Sequence, residues 1–312
     1  MRYLPTLSLE AAGLQSSHTP RNVRFLETAQ MPGRVFVNIT THGCGSGCSY
    51  CYIDGPTQSQ NQLSHAEIVS SLDWLRRHPR FQQGPSGTVI SLCPDTEPFK
   101  TTTSAQRIGW ILQRVLPWGN RIQIATKEQV PAEILMAIER HRAALRQVVL
   151  FTTITTISRA KSIEPHAAAP DARAKNFESC RLASVVSCLY IKPFLPATAH
   201  DYTAFAELAG KARPDAICVG VLYKSTDVGQ PLTHPVHGRM QSPGLEPSCL
   251  AFAERLKRDT QVPVFHTAVC VSAWASASLA APRIWLDYPE LCVGCRDCAG
   301  EFKSENRKEQ YR

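Results

Sequence analysis

Short runs of β-branched and aromatic residues alternate along the chain with longer segments whose apolar positions recur at helical spacing. Arg34 to Thr40 (Arg-Val-Phe-Val-Asn-Ile-Thr) opens the series and predicts a strand. Ser64 to Arg77 predicts a helix. Ser64 is placed to cap it, Glu67 stands three residues on as in a capping box, and Ile68, Leu72 and Leu75 fall on one face. Strands are expected next at 88–93, 121–126, 147–153, 187–191 and 215–221, with helices at 104–116, 131–143, 171–185 and 202–212. Strands separated by helices imply parallel βαβ units. Six such units predict an α/β fold, a partial (β/α)6 barrel, with chemistry at the C-terminal ends of its strands.

The pattern also suggests boundaries. Residues 1–33 are polar and mixed and read as an N-terminal extension, residues 34–224 as the barrel, and residues 225–312 as a C-terminal extension. That extension opens with a loop rich in Pro, Gly, His and Ser. A helix is expected near Cys249 to Arg258 and a short strand at Val262 to Phe265. A chain of 312 residues, 43% hydrophobic and 19% charged, can bury a sizeable core, which excludes a disordered or fibrous protein. No apolar run approaches the roughly 20 residues of a membrane helix. The first residues lack a secretory h-region, so a cytoplasmic protein with no membrane partner is expected. The net charge of +8 permits an anionic partner without requiring one. The basic run Arg76, Arg77, His78 and Arg80 reads as a solvated turn before it reads as a nucleic-acid contact.

Twelve cysteines change the picture. In a cytosolic chain disulfides explain them poorly, and metal ligation or thiol chemistry explains them better. His42-Gly43-Cys44-Gly45-Ser46-Gly47-Cys48-Ser49-Tyr50-Cys51 directly follows the first expected strand, with the spacing Cys-x3-Cys-x2-Cys. Three thiolates on a short glycine-rich loop can wrap three irons of a [4Fe–4S] cluster and leave the fourth iron open to chelate a small molecule. The glycines permit the positive φ of a tight wrap. The competing reading is a zinc loop, although zinc prefers four closed ligands.

This spacing, the aromatic Tyr50 before the last cysteine and the position after the first barrel strand resemble the radical S-adenosylmethionine (SAM) superfamily. Further segments resemble its spore photoproduct lyase and DNA-repair-photolyase-like branch. These are Cys93-Pro94-Asp95-Thr96-Glu97-Pro98 after the second strand, Thr126-Lys127 at the end of the third, Glu164-Pro165 with Arg173 after the fourth, and Lys192-Pro193-Phe194-Leu195-Pro196 after the fifth. Together they cover roughly residues 34–222. The resemblance implies a SAM-binding [4Fe–4S] cluster on Cys44, Cys48 and Cys51, reductive cleavage of SAM to a 5′-deoxyadenosyl radical, and hydrogen abstraction from an organic substrate. It implies a reductant partner such as flavodoxin or ferredoxin. Thr96 or Glu97 would meet the SAM amino group, Lys127 its carboxylate, and Thr153 or Thr155 its ribose. The bland alternatives are a helix-start acid, a surface charge and ordinary strand threonines. Cys93 lies 42 residues beyond Cys51, about where spore photoproduct lyase carries a hydrogen-donating cysteine. A buried strand cysteine, or the missing fourth ligand of the second cysteine cluster, is the alternative. The branch has a glycine turn where this chain has Ser184 to Ser187, and the chain has no recognisable copy of the lyase's DNA-binding hairpin. Repair or modification of nucleic acid is therefore the second expectation. An iron–sulfur electron carrier or sensor is the third; it would need no SAM site.

Cys292, Cys295 and Cys298 form a second cluster, Cys-x2-Cys-x2-Cys, like the first part of a ferredoxin run. The fourth ferredoxin position is Phe302, so a fourth ligand would come from elsewhere, with Cys270 the first candidate and Cys249 the second. An auxiliary iron–sulfur cluster is expected, with structural zinc as the alternative. Cys180, Cys188 and Cys218 read as small buried hydrophobes. His234, His237 and His266 have no metal-ligand spacing, and Trp274, Trp285 and Tyr288 read as shielding for the last cluster.

Overall fold

A computed structural model describes residues 19–25, 33–41, 43–51, 62–220, 224–225, 240–241 and 247–276. The expected strands appear as β2 (Arg34–Val37), β3 (Val89–Leu92), β4 (Ile122–Thr126), β5 (Val148–Thr153), β6 (Val186–Ile191) and β7 (Ala216–Val219). The helices between them are α1 (His65–Arg77), α2 (Thr102–Val115), α3 (Ala132–His141), α5 (Pro170–Leu182) and α7 (Tyr202–Ala212). The capping box forms: Glu67 N donates to Ser64 Oγ and Ser64 N donates to Glu67 Oε2 at 2.7 Å. Ile68, Leu72 and Leu75 are all buried, as their spacing requires.

One strand was not expected, and the helix and strand expected after residue 225 both form and join the sheet. β1 (Val23–Phe25), within the supposed N-terminal extension, pairs antiparallel with β2 and forms the edge. Beyond residue 225, α8 (Pro247–Thr260) and β10 (Val264–Phe265) supply a seventh parallel strand, which pairs with β7. The eight-stranded sheet runs β1-β2-β3-β4-β5-β6-β7-β10, with every pair after the first parallel, and is open between its end strands. α9 (Ala268–Ser276) falls in the apolar stretch after β10 and lies inside the sheet's concave face. Within the expected loop after β7, β8 (Lys224–Ser225) pairs with β9 (Met240–Gln241). Short helices α4 (Ala160–Ile163) and α6 (Pro196–His200) lie in the loops after β5 and β6. Ser184 takes a φ of 51°, in the left-handed region that favours glycine.

The strands read as near-continuous apolar runs because both faces are covered. On the outer face Val35, Ile90, Ile122 and Val148 pack against the helices, as do Leu189 and Ile217 farther along the sheet. On the inner face of β5 to β7, Phe151, Cys188 and Cys218 meet Cys270, Val271 and Ala275 of α9. Cys180, Cys188 and Cys218 are buried as expected. The inner face of β2 to β4 sets polar Ser91 and Gln123 beside Phe36. Ser91 Oγ donates to Gln123 Oε1 at 2.8 Å, and Gln123 Nε2 donates to Ser272 Oγ of α9 at 2.6 Å. Arg146 Nε donates to Ala275 O at 2.7 Å near the foot of β5, so α9 runs from the mouth of the barrel down to its base. Trp274 packs on Phe265 and under Arg146. The end of α1 and the turn after it cover β1: the rings of Trp74 and His78 lie 6.4 and 4.6 Å from that of Phe25, and Arg80 sits over it.

Candidate functional site

A cavity of about 280 Å³ opens at the C-terminal ends of the parallel strands. Cys44, Cys48 and Cys51 line it from the loop after β2, Cys93, Thr96 and Glu97 from the loop after β3, and Lys127 and Thr153 from the ends of β4 and β5. Thr267 and Ala268, where α9 begins, close the far wall. Residues expected to act together from their order in the sequence therefore meet in one place.

The cysteine loop turns on Gly43, Gly45 and Gly47, with φ of 77°, 69° and 62°. A side chain at Gly47 would bring a Cβ to 3.0 Å from His166 Cδ2. Of the three loop cysteines Cys51 is the most exposed. Burial raises the Cys48 pKa, and Lys127 opposes that shift. Among the described residues no three His, Cys, Asp or Glu side chains converge on one metal ion. The donor set, three soft thiolates facing one cavity, fits an iron–sulfur cluster.

Behind the thiols the charges are arranged with care for burial. Glu97 is buried and accepts from Phe99 N at 3.3 Å, Lys127 N at 2.8 Å and Thr126 Oγ1. Burial raises its pKa, and these donors oppose the shift. Burial alone would lower the Lys127 pKa, but Cys48, Glu164 and Glu97 outweigh it and raise it, so the ammonium stays charged. Lys127 Nζ lies 5.7 Å from the centre of the Tyr50 ring. Cys93 is buried at the end of β3 with φ of 51°, and burial pushes its thiol well above the ordinary range. A non-glycine residue in this left-handed region is strained.

Thr155 stands one layer back. It is fully buried, is not among the lining residues, and donates to Glu164 Oε1 at 3.0 Å. Cys270 is buried in α9, beside Thr267 Oγ1 at 2.8 Å, and Cys249 is buried in α8. Neither lines the cavity. Cys292, Cys295 and Cys298, together with His42, His234, His237, Trp285 and Tyr288, lie outside the described residues.

Two groupings were not legible beforehand. Asp95 lines the cavity and accepts from Arg24 Nη2 at 2.9 Å and Asn38 Nδ2 at 3.2 Å. Arg24 comes from β1, the strand that composition did not reveal. Glu164, buried after β5, accepts from the Tyr50 hydroxyl and pairs with Arg173 Nη1 at 2.5 Å. The quoted segments contained both Glu164 and Arg173, but only the folded chain joins them to Tyr50.

No protein-family model matches the chain, and no curated protein does. Among solved structures it is similar to spore photoproduct lyase complexed with dinucleoside spore photoproduct, with a TM-score of 0.52 and 11% identity over 78% of this chain and 79% of that one. A variant of that lyase with bound AdoMet and dinucleoside spore photoproduct gives 0.51 and 10% identity over 78% and 79%. Streptococcus suis SuiB bound to S-adenosylmethionine gives 0.50 and 11% over 77% of this chain and 51% of that one. What these chains share with this one is the fold.

Proposed function

We propose that the chain is a radical SAM enzyme. Cys44, Cys48 and Cys51 would hold a [4Fe–4S] cluster, which when bound supplies the electron that splits SAM into methionine and a 5′-deoxyadenosyl radical. The observation that carries this reading is the single cavity where three loop thiols, Cys93, Glu97 and Lys127 meet at the strand ends of a partial barrel. The similarity of fold to proteins solved with S-adenosylmethionine supports it.

This chain's own residues divide the remaining work. Lys127, charged and buried, takes the SAM carboxylate. Glu97, with the neighbouring Thr96, takes the amino group. Thr153 stands at the ribose, and Thr155 serves the same wall through Glu164. Apolar Phe36 and Phe151 line the same cavity and keep water from the reacting centre. The substrate is an organic molecule whose hydrogen is abstracted, and the electron comes from a reductant such as flavodoxin or ferredoxin.

Cys93 is the hydrogen donor to the product radical. Burial keeps its thiol protonated, the form that donation needs. The S–H bond breaks, a C–H bond forms, and the thiyl left on Cys93 is restored by an electron and a proton, the electron coming from the reductant. In heavy water wild type should place deuterium in its product, and Cys93→Ala should not, while still cleaving SAM. Normal turnover by the variant would make Cys93 a packing residue.

The test of the whole reading is anaerobic reconstitution with iron and sulfide, followed by dithionite and SAM. The chain should release 5′-deoxyadenosine, and the triple Ala variant at Cys44, Cys48 and Cys51 should release none. An electron carrier would release none in either form. Cysteines 292, 295 and 298 would hold a second iron–sulfur cluster, with zinc as the alternative.

A further inference from the structure

The cysteine loop does not stand free after β2. Ser49 N donates to Ile163 O at 2.9 Å. A Cβ added at Gly47 would fall 3.0 Å from His166 and 3.8 Å from Pro165, so the loop runs close to both, and the Tyr50 hydroxyl donates to Glu164 Oε1. All of these contacts end on one short stretch, 163–166, in the connection between β5 and α5. Glu164 is itself immobilised. Its side chain and that of Arg173 are 0% and 1% exposed, and Thr155 Oγ1 donates to it at 3.0 Å. Arg173 in turn donates to Thr153 O at 2.9 Å and Ala168 O at 2.6 Å. A buried carboxylate with three partners in fixed directions is a rigid post, because moving it would strand charge in a dry interior.

We propose that Glu164 is the positioning residue of the cysteine loop. Through the Tyr50 hydroxyl it docks residues 43–51 on the 163–166 connection, so that the three thiols face the cavity before any metal arrives. The consequence for cluster retention rests on the proposed function; the docking does not.

The docking is tested in the full-length, metal-free chain by amide hydrogen exchange of wild type, Tyr50→Phe and Glu164→Gln. Tyr50→Phe removes one hydroxyl and leaves Glu164 with Arg173 and Thr155, so the fold is kept. Exchange over 43–51 should quicken about tenfold while α5 and β5 keep wild-type protection. Glu164→Gln keeps an acceptor toward Tyr50 but leaves the Arg173 guanidinium without its carboxylate, so its exchange should rise over α5 as well as over 43–51. After reconstitution, Tyr50→Phe should lose iron to a chelator several-fold faster than wild type. Unchanged exchange over 43–51 in Tyr50→Phe, or a rise spread equally over the whole chain, would overturn the proposal. Failure of wild type to take up an iron–sulfur cluster would sink the proposed function and leave the exchange result to decide the docking.

Discussion

A single residue in this chain is constrained chiefly by what burial does to its polar atoms. Arg121, at the foot of β4, is 4% exposed, and Nε, Nη1 and Nη2 have no hydrogen-bond partner among the described residues. Burial alone pulls its pKa down to about 10. An unpaired buried charge is a net cost, so Arg121→Met should stabilise the fold by about 1 kcal/mol or more, read as a higher midpoint in urea. A lower midpoint would mean that the guanidinium has a partner in solution. Arg173 is the opposite case, since its charge answers Glu164. Arg173→Met would leave that carboxylate alone and should cost about 3–5 kcal/mol. Gly47 is bound by two constraints, its φ of 62° and a neighbour at 3.0 Å. Gly47→Ala should cost about 1–2 kcal/mol from the left-handed backbone alone and lower the iron taken up on reconstitution. Gly84→Ala is the control, with φ of 108° but nothing within 4 Å, and should leave iron uptake unchanged.

At the scale of elements, local signals placed the helices well where a cap was written into the sequence. The capping box of α1 satisfies two backbone donors that would otherwise be orphaned. Ser64→Ala should lower stability by about 1 kcal/mol in thermal unfolding. Hydrogen bonds from Ser64 hold Glu67 below the usual carboxylate range. The box is therefore fully formed above the unfolded carboxylate pKa and weakens as pH falls through the folded one, and Ser64→Ala should flatten that part of the acid-unfolding curve. α9 was missed for an equally physical reason. Ala-Val-Cys-Val-Ser-Ala-Trp-Ala-Ser is apolar nearly all round, so it lacks the one-sided periodicity of a surface helix. Such a segment belongs inside, and there it lies, tied to β4 by Gln123 and Ser272.

The molecule as a whole joins a barrel whose site faces one cavity to a second set of cysteines, 292, 295 and 298, near its C-terminus. If both sets carry cubanes, reconstituted chain should hold about eight irons, and Ala at the three later positions should remove about half. Stoichiometric zinc with about four irons would assign the later set to zinc. The sequence by itself determined the alternation of strand and helix, the α1 cap, the placement of Cys93, Glu97 and Lys127 at strand ends, and the spacing of the first three thiols. Each of these is written in neighbouring residues, where period, φ preference and ligand spacing act directly. Tertiary structure decided the rest. Tyr50 meets Glu164 across 114 residues, Gln123 meets Ser272 across 149, and Arg24 meets Asp95 across 71. β1, of three residues, is too short to carry a pattern. It became a strand because the open edge beside β2 offered unpaired backbone groups to complete.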